Sequence, residues 1–151
     1  MSSFSSDIVA PALSLIVVAY NMARELPRTL YTLSSQYQRD INPQDYEVIV
    51  VDNGSDQPVD SAMWASWQAW PGQFRLLRID QASHSPVDAI NRGLAQARGH
   101  CIGVMIDGAR MCSPGLLGQA LQACNGIDGA VVGALGWYLG PDFQRQSMVR
   151  G

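Results

Sequence analysis

The stretch Tyr46-Glu47-Val48-Ile49-Val50-Val51-Asp52-Asn53-Gly54-Ser55-Asp56 constrains the fold of this chain more than any other. Six mostly β-branched or aromatic residues are followed at once by polar and turn-forming ones. A run of this length and character suits a strand covered on both faces, as in a parallel sheet. Asn53-Gly54 accommodates positive φ and turns the backbone sharply after it. Asp52 is thereby left at the carboxyl end of a buried strand, where open α/β sheets bind ligands. The same residues also suit a solvated turn in which Asp52 and Asp56 only help to cap the next segment.

The flanking sequence repeats the pattern. Leu13–Ala19 reads as a first strand ending at Tyr20-Asn21. Phe74–Ile79 reads as a third ending at Asp80, and Cys101–Ile106 as a fourth ending at Asp107-Gly108. Gly129–Leu135 suggests a fifth. Between them, Leu26, Leu30, Leu33 and Tyr37 fall on one helical face, with Pro27 tolerable only near the first turn. Asp60 to Trp70 suggests a short helix with Asp60 or Ser61 as its cap. Its tryptophans at 64, 67 and 70 could stack on a base or sugar, but packing is the commoner use of such a stripe. Ser85-Pro86-Val87-Asp88 carries a capping pattern and opens a helix presenting Val87, Ile90, Leu94 and Ala97 on one face. Ser113-Pro114 repeats that signature for a helix through about Cys124. Strands alternating with helices predict a three-layer, mostly parallel α/β sheet.

Composition narrows the function classes. With ten basic and thirteen acidic residues among 151, the net charge is −3, which makes no electrostatic case for nucleic acid or an anionic membrane. No apolar run reaches the length of a membrane span. Cys101, Cys112 and Cys124 lack metal-type spacing, so buried free thiols in a reducing cytoplasm are expected. His84 is expected to be a solvated loop residue. A Gly-x-Gly-x-x-Gly after the first strand and a Gly-Lys-Ser/Thr loop are both absent, so dinucleotide-fold and P-loop readings lose their main support. Tyr20-Asn21, Asp52-Asn53, Asp80 and Asp107-Gly108 would all emerge on one carboxyl edge. Such a cleft favours hydrogen bonding to a base or sugar, or a metal held between acid and diphosphate.

Four segments in the right order resemble the family 2 glycosyltransferases of GT-A fold. They are Ser14–Asn21, Glu47–Ser55, Ala89–Leu94 continuing to Ala97-Arg98-Gly99, and Ile102–Asp107 followed by Pro114. The resemblance spans roughly the first 115 residues and implies a Rossmann-like nucleotide-diphospho-sugar-binding fold. The small, polar start of the chain suggests a flexible terminus over 1–12, and the resemblance implies the binding domain over 13–136 and the start of an acceptor-side region over 137–151. The chain would then be the donor-binding half, with its catalytic base supplied from further along. Carried over residue by residue, Ala19, Tyr20 and Asn21 would line the base and ribose pocket. Asp52 would bond the base, with Asn53 beside it. Asp107 would reach ribose and diphosphate, directly or through Mg²⁺ or Mn²⁺. The family's Asp-x-Asp is here Asp107-Gly108-Ala109, which lacks the second carboxylate, and Arg110 is a candidate to take over part of a metal's role. Where the family often has Arg, Ile90 stands. Two functions stay open at this point: a transferase moving sugar from a nucleotide diphosphate to an acceptor hydroxyl, and a non-catalytic nucleotide-sugar-binding or regulatory module of the same fold.

Overall fold

A computed structural model describes residues 10–59, 61–68 and 73–134. Within them the order is β1 (Leu13–Ala19), α1 (Leu26–Leu33), β2 (Tyr46–Asp52), α2 (Ser61–Gln68), β3 (Gln73–Arg78), α3 (Val87–Gln96), β4 (Cys101–Met105) and α4 (Leu116–Gly126). The four strands form one sheet in the order β3-β2-β1-β4, and every neighbouring pair is parallel. β1 and β2 are buried along their whole length, as double-sided coverage requires.

Alternation along the strands sends side chains into two cores. Leu13, Leu15, Val17, Val48 and Val50 pack with Leu26, Leu30 and Leu33 of α1, Trp67 of α2 and Leu117 of α4. Ile16, Val18, Ile49 and Val51 pack on the other face with Ala89 and Ile90 of α3. The tryptophans of α2 do pack: Trp67 is buried, and Trp64 meets it edge-on at 5.9 Å between ring centroids. Asp60 and Trp70 lie outside the described residues, as do the segments over 1–9 and from 135 onward.

Three expectations are corrected. First, α3 does not bury Val87 and Leu94, which stay exposed; Ala89 and Gly93 face the sheet instead. A Cβ on Gly93 would come within 2.6 Å of Ile16. The helix lies so close at Gly93 that small residues mark its inner face there, while Ile90 and Ala97 of the expected face pack beside them. Second, residues 129–134 form no strand, and Val131 is almost fully exposed. Third, Cys101 and Cys124 are joined by a disulfide, with Cα atoms 6.3 Å apart. α4 returns antiparallel to β4, so its last turn lies beside the first residue of that strand. Cys112 alone is a free thiol, buried, with its pKa pushed up to about 11 by that burial against a lowering hydrogen bond from Thr32. The cysteines therefore no longer argue for a reducing compartment. No helix among the described residues is long and apolar enough to cross a membrane.

Two polar contacts fix how the elements meet. Ser113 makes no cap for α4; Gln38 reaches over instead, accepting from Leu117 N–H at 3.1 Å and donating to the carbonyls of Thr32 and Ser113. At the amino end of the sheet, Glu47 is completely buried within the β2 run. Its Oε1 accepts from Ser14 Oγ at 2.7 Å and Arg98 N–H at 2.9 Å, and its Oε2 accepts from Arg98 Nη2 at 2.8 Å and Arg75 Nη2 at 2.9 Å. Burial alone would raise the Glu47 pKa, but these donors and the charge of Arg75 hold it below the usual value.

Candidate functional site

The chain builds β1, then β2 and β3 to one side of it, and only then β4 on the other. Strand order therefore reverses between β1 and β4, and the carboxyl edge beside that point is where sheets of this kind hold ligands. Tyr20, Asn21, Asp52, Asn53 and Asp107 all follow or end strands on that edge.

Asp52 closes β2 with 1% exposure. Its Oδ1 accepts the Ser55 N–H at 3.0 Å, which shapes the turn through Gly54 (φ +76°). Its Oδ2 accepts from Arg78 Nη1 at 2.6 Å. Arg78 stands opposite Asp52 in the β2–β3 register, donates also to Asp80 Oδ1 at 2.9 Å and to the Ser55 carbonyl at 3.2 Å, and was not singled out by the sequence. Partial desolvation works against its charge, but the two carboxylates raise its pKa further. Asp52 therefore does shape the turn, but it is buried rather than solvated. The same carboxylate also carries a cation, which a capping role does not require.

Asn21 has φ +53°, a left-handed conformation that asparagine tolerates better than most residues. Its N–H donates to Ser55 Oγ at 2.9 Å, and its side chain exchanges two hydrogen bonds with Asp56, at 2.8 and 2.9 Å. Tyr20, immediately before it, is half exposed on the edge. Ala19 is buried, and its carbonyl accepts the Asn53 N–H at 2.8 Å, so it supports the edge from beneath. Asn53 is also buried; Nδ2 donates to the Ser83 carbonyl at 3.3 Å while Oδ1 has no protein partner. His84, in the same loop, is exposed as expected.

Across the reversal point, Asp107 Oδ1 accepts the Ala109 N–H at 2.9 Å, and Oδ2 lies 3.2 Å from Arg110 Nε. The turn is drawn down on β1 and α1. Thr29 Oγ1 donates to the Gly108 carbonyl at 2.6 Å, and a Cβ on Gly108 would stand 3.2 Å from Ala19 Cβ. Glycine at this position thus lets the β4 edge close on the β1 edge. For a divalent ion the donor set is thin. Asp107 is a single carboxylate already paired with a cation, and no group of three His, Cys, Asp or Glu side chains converges among the described residues. These residues alone do not fit Mg²⁺ or Mn²⁺.

The model of the family described as "Glycosyl transferase family 2" matches residues 14–148. The chain belongs to that family. Among curated proteins, this glycosyltransferase-family chain is 28% identical over 123 residues to the uncharacterized glycosyltransferases MT1564 and Rv1514c of Mycobacterium tuberculosis, covering 78% of this chain and 41% of each relative. It thus spans about two-fifths of the length of those relatives. Among solved structures, S. aureus TarS (residues 1–349) superposes with a TM-score of 0.65 at 20% identity, over 81% of this chain and 38% of that one. TarS has also been crystallised with UDP and with UDP-GlcNAc. The mannosyltransferase PcManGT of Pyrobaculum calidifontis, in complex with GDP-Man and Mn²⁺, superposes with a TM-score of 0.55 at 24% identity, over 66% of this chain and 28% of that one. These likenesses establish the GT-A fold for this family 2 chain.

Proposed function

We propose that the carboxyl edge binds a nucleotide-diphosphate sugar, and that the protein transfers the sugar to an acceptor hydroxyl. The observation that carries the reading is the Asp52–Arg78 pair: an ionised acceptor and a fork of donors 2.6 Å apart at the joint end of two strands. Together they match the ring N–H and adjacent carbonyl of a uracil, thymine or guanine edge. Asp52 accepts from the N–H and Arg78 donates to the carbonyl, while Tyr20 lies against the ring. Adenine and cytosine present a ring lone pair where those bases present the N–H, and an ionised carboxylate repels it. The TarS complex with UDP-GlcNAc supports a donor of this class.

Asp107 and Arg110 serve the diphosphate in this reading. A developing negative charge on the leaving group calls for fixed cationic groups or a metal, and the Arg110 fork supplies a cation that meets phosphate oxygens bidentately. Asp107 holds it at the edge until phosphate takes its place. Acceptor and catalytic base belong to the rest of the protein.

A second reading, the non-catalytic binding module, is favoured by one observation: position 109 is alanine where the family's second carboxylate would stand. Calorimetric titration with UDP, GDP, ADP and CDP, each with EDTA and then with Mn²⁺, tests the site. UDP or GDP binding well ahead of ADP and CDP is expected. Equal affinity for all four would remove Asp52 and Arg78 from a base pocket. Hydrolysis or transfer from the bound sugar nucleotide by the full-length protein separates the transferase from the module.

A further inference from the structure

Ser55 is 6% exposed, and each of its polar groups is engaged with a different candidate site residue. Its N–H holds Asp52 Oδ1 at 3.0 Å, its carbonyl accepts from Arg78 Nη2 at 3.2 Å, and its hydroxyl accepts the Asn21 N–H at 2.9 Å. The first two bonds are backbone bonds that any residue makes. The third depends on the side chain. It grips the peptide joining Tyr20 to Asn21, at a residue held in a left-handed conformation. We infer that Ser55 is the positioning residue that fixes the aromatic ring of Tyr20 relative to the Asp52–Arg78 pair, and through that spacing sets which base the site accepts. This role rests on the nucleotide-binding reading of the carboxyl edge.

A base is read by two contacts at right angles: its face against Tyr20, and its edge against Asp52 and Arg78. Those two contacts come from different strand ends, β1 and β2, whose termini are also tied by the Asn53 N–H to the Ala19 carbonyl at 2.8 Å, before Tyr20, and by the Asn21–Asp56 bonds on the exposed rim. The rim bonds are open to water and weak as a gauge. The Ser55 bond lies inside and acts on the main chain next to Tyr20. Without it the ring can shift while Asp52 and Arg78 stay where the Ser55 backbone holds them. A base of the wrong edge pattern then finds a pose the native spacing forbids, so affinity for the right base falls and discrimination falls with it.

The test is the ratio of UDP to ADP affinity, measured by calorimetry well below the melting temperature of every variant. Ser55→Ala should lower that ratio by about tenfold, the worth of one hydrogen bond with a partner left unsatisfied, and Ser55→Thr, which keeps the hydroxyl, should restore it. Should Ser55→Ala fail to fold, Ser55→Cys preserves the packing with a much weaker acceptor, and the same fall is expected there. A variant that melts earlier but keeps the native ratio shows Ser55 to be only structural and overturns the inference. If the wild-type protein itself shows no preference between UDP and ADP, the base-binding reading fails and this role fails with it. Wild-type preference with an unchanged variant ratio overturns the Ser55 role alone.

Discussion

Arg78 and Asp52 occupy partnered positions in the register of β3 and β2, and their side chains meet at 2.6 Å beside the backbone bond from Ile79 N–H to the Asp52 carbonyl. The pair is therefore set by the sheet register, and the Ser55 backbone in the following turn bonds both members. Losing a charge-assisted hydrogen bond costs about 1.5–3 kcal/mol, so Asp52→Ala and Arg78→Ala should each weaken UDP by about one to two decades. Arg78→Lys keeps the charge but not the fork and should recover only part. Calorimetry on the three variants checks this; an Arg78→Ala protein that binds UDP like wild type would place the base elsewhere.

On the opposite side of the strand-order reversal, Arg110→Ala should weaken UDP by about tenfold or more while leaving uridine almost unchanged, because the nucleoside lacks the phosphates that Arg110 meets. UDP should bind in the presence of EDTA. Loss of binding in EDTA, with Arg110→Ala unaffected, would assign the diphosphate to a metal instead.

Glu47 gives stability a pH dependence of known sign. Its folded pKa lies below the ordinary carboxylate value. Its contribution is therefore fully present above the unfolded pKa and is lost as pH falls through the folded one. Glu47→Ala, which breaks a buried pair, should cost about 3 kcal/mol at neutral pH. Denaturant melts of wild type and variant should converge as the pH is lowered. Parallel curves down to strong acid would mean that Glu47 is not the group responsible.

Gly99 lies against the main chain of β1: a Cβ there would stand 2.6 Å from Ser14 N. Backbone cannot move aside as a side chain can. Gly99→Ala should thus destabilise by roughly 1–3 kcal/mol, read as a lower denaturant midpoint with unchanged slope. A neutral substitution would show that the turn relaxes freely.

The four paired strands and their common carboxyl edge were legible because each is an apolar run that stops at polar turn residues. Asp52 and Asp107 were legible for the same reason. Arg78 was not. In sequence it is one of two arginines in a weak strand, and only the pairing register puts it opposite Asp52. Glu47 was hidden inside a run read for its β-branched neighbours. The inner face of α3 was legible only in part: Ile90 and Ala97 pack as expected, but the close approach of Gly93 to Ile16 puts small residues where Val87 and Leu94 were expected. The cap of α4 comes from Gln38, far away in the chain, where no local motif points. The bond between Cys101 and Cys124 likewise depends on how α4 folds back on β4.

That bond also governs how the protein breaks. Asp107, Gly108 and Arg110 lie within the loop it closes, with 23 positions separating the two cysteines. A protease that nicks the exposed stretch around Ala109 and Met111 would release nothing: both fragments stay on one covalent body until a thiol reductant frees them. Closing a loop of this size is worth about 3 kcal/mol in chain entropy, so Cys124→Ser should lower stability by roughly that amount. It should also turn a cut that is silent on a non-reducing gel into two visible pieces.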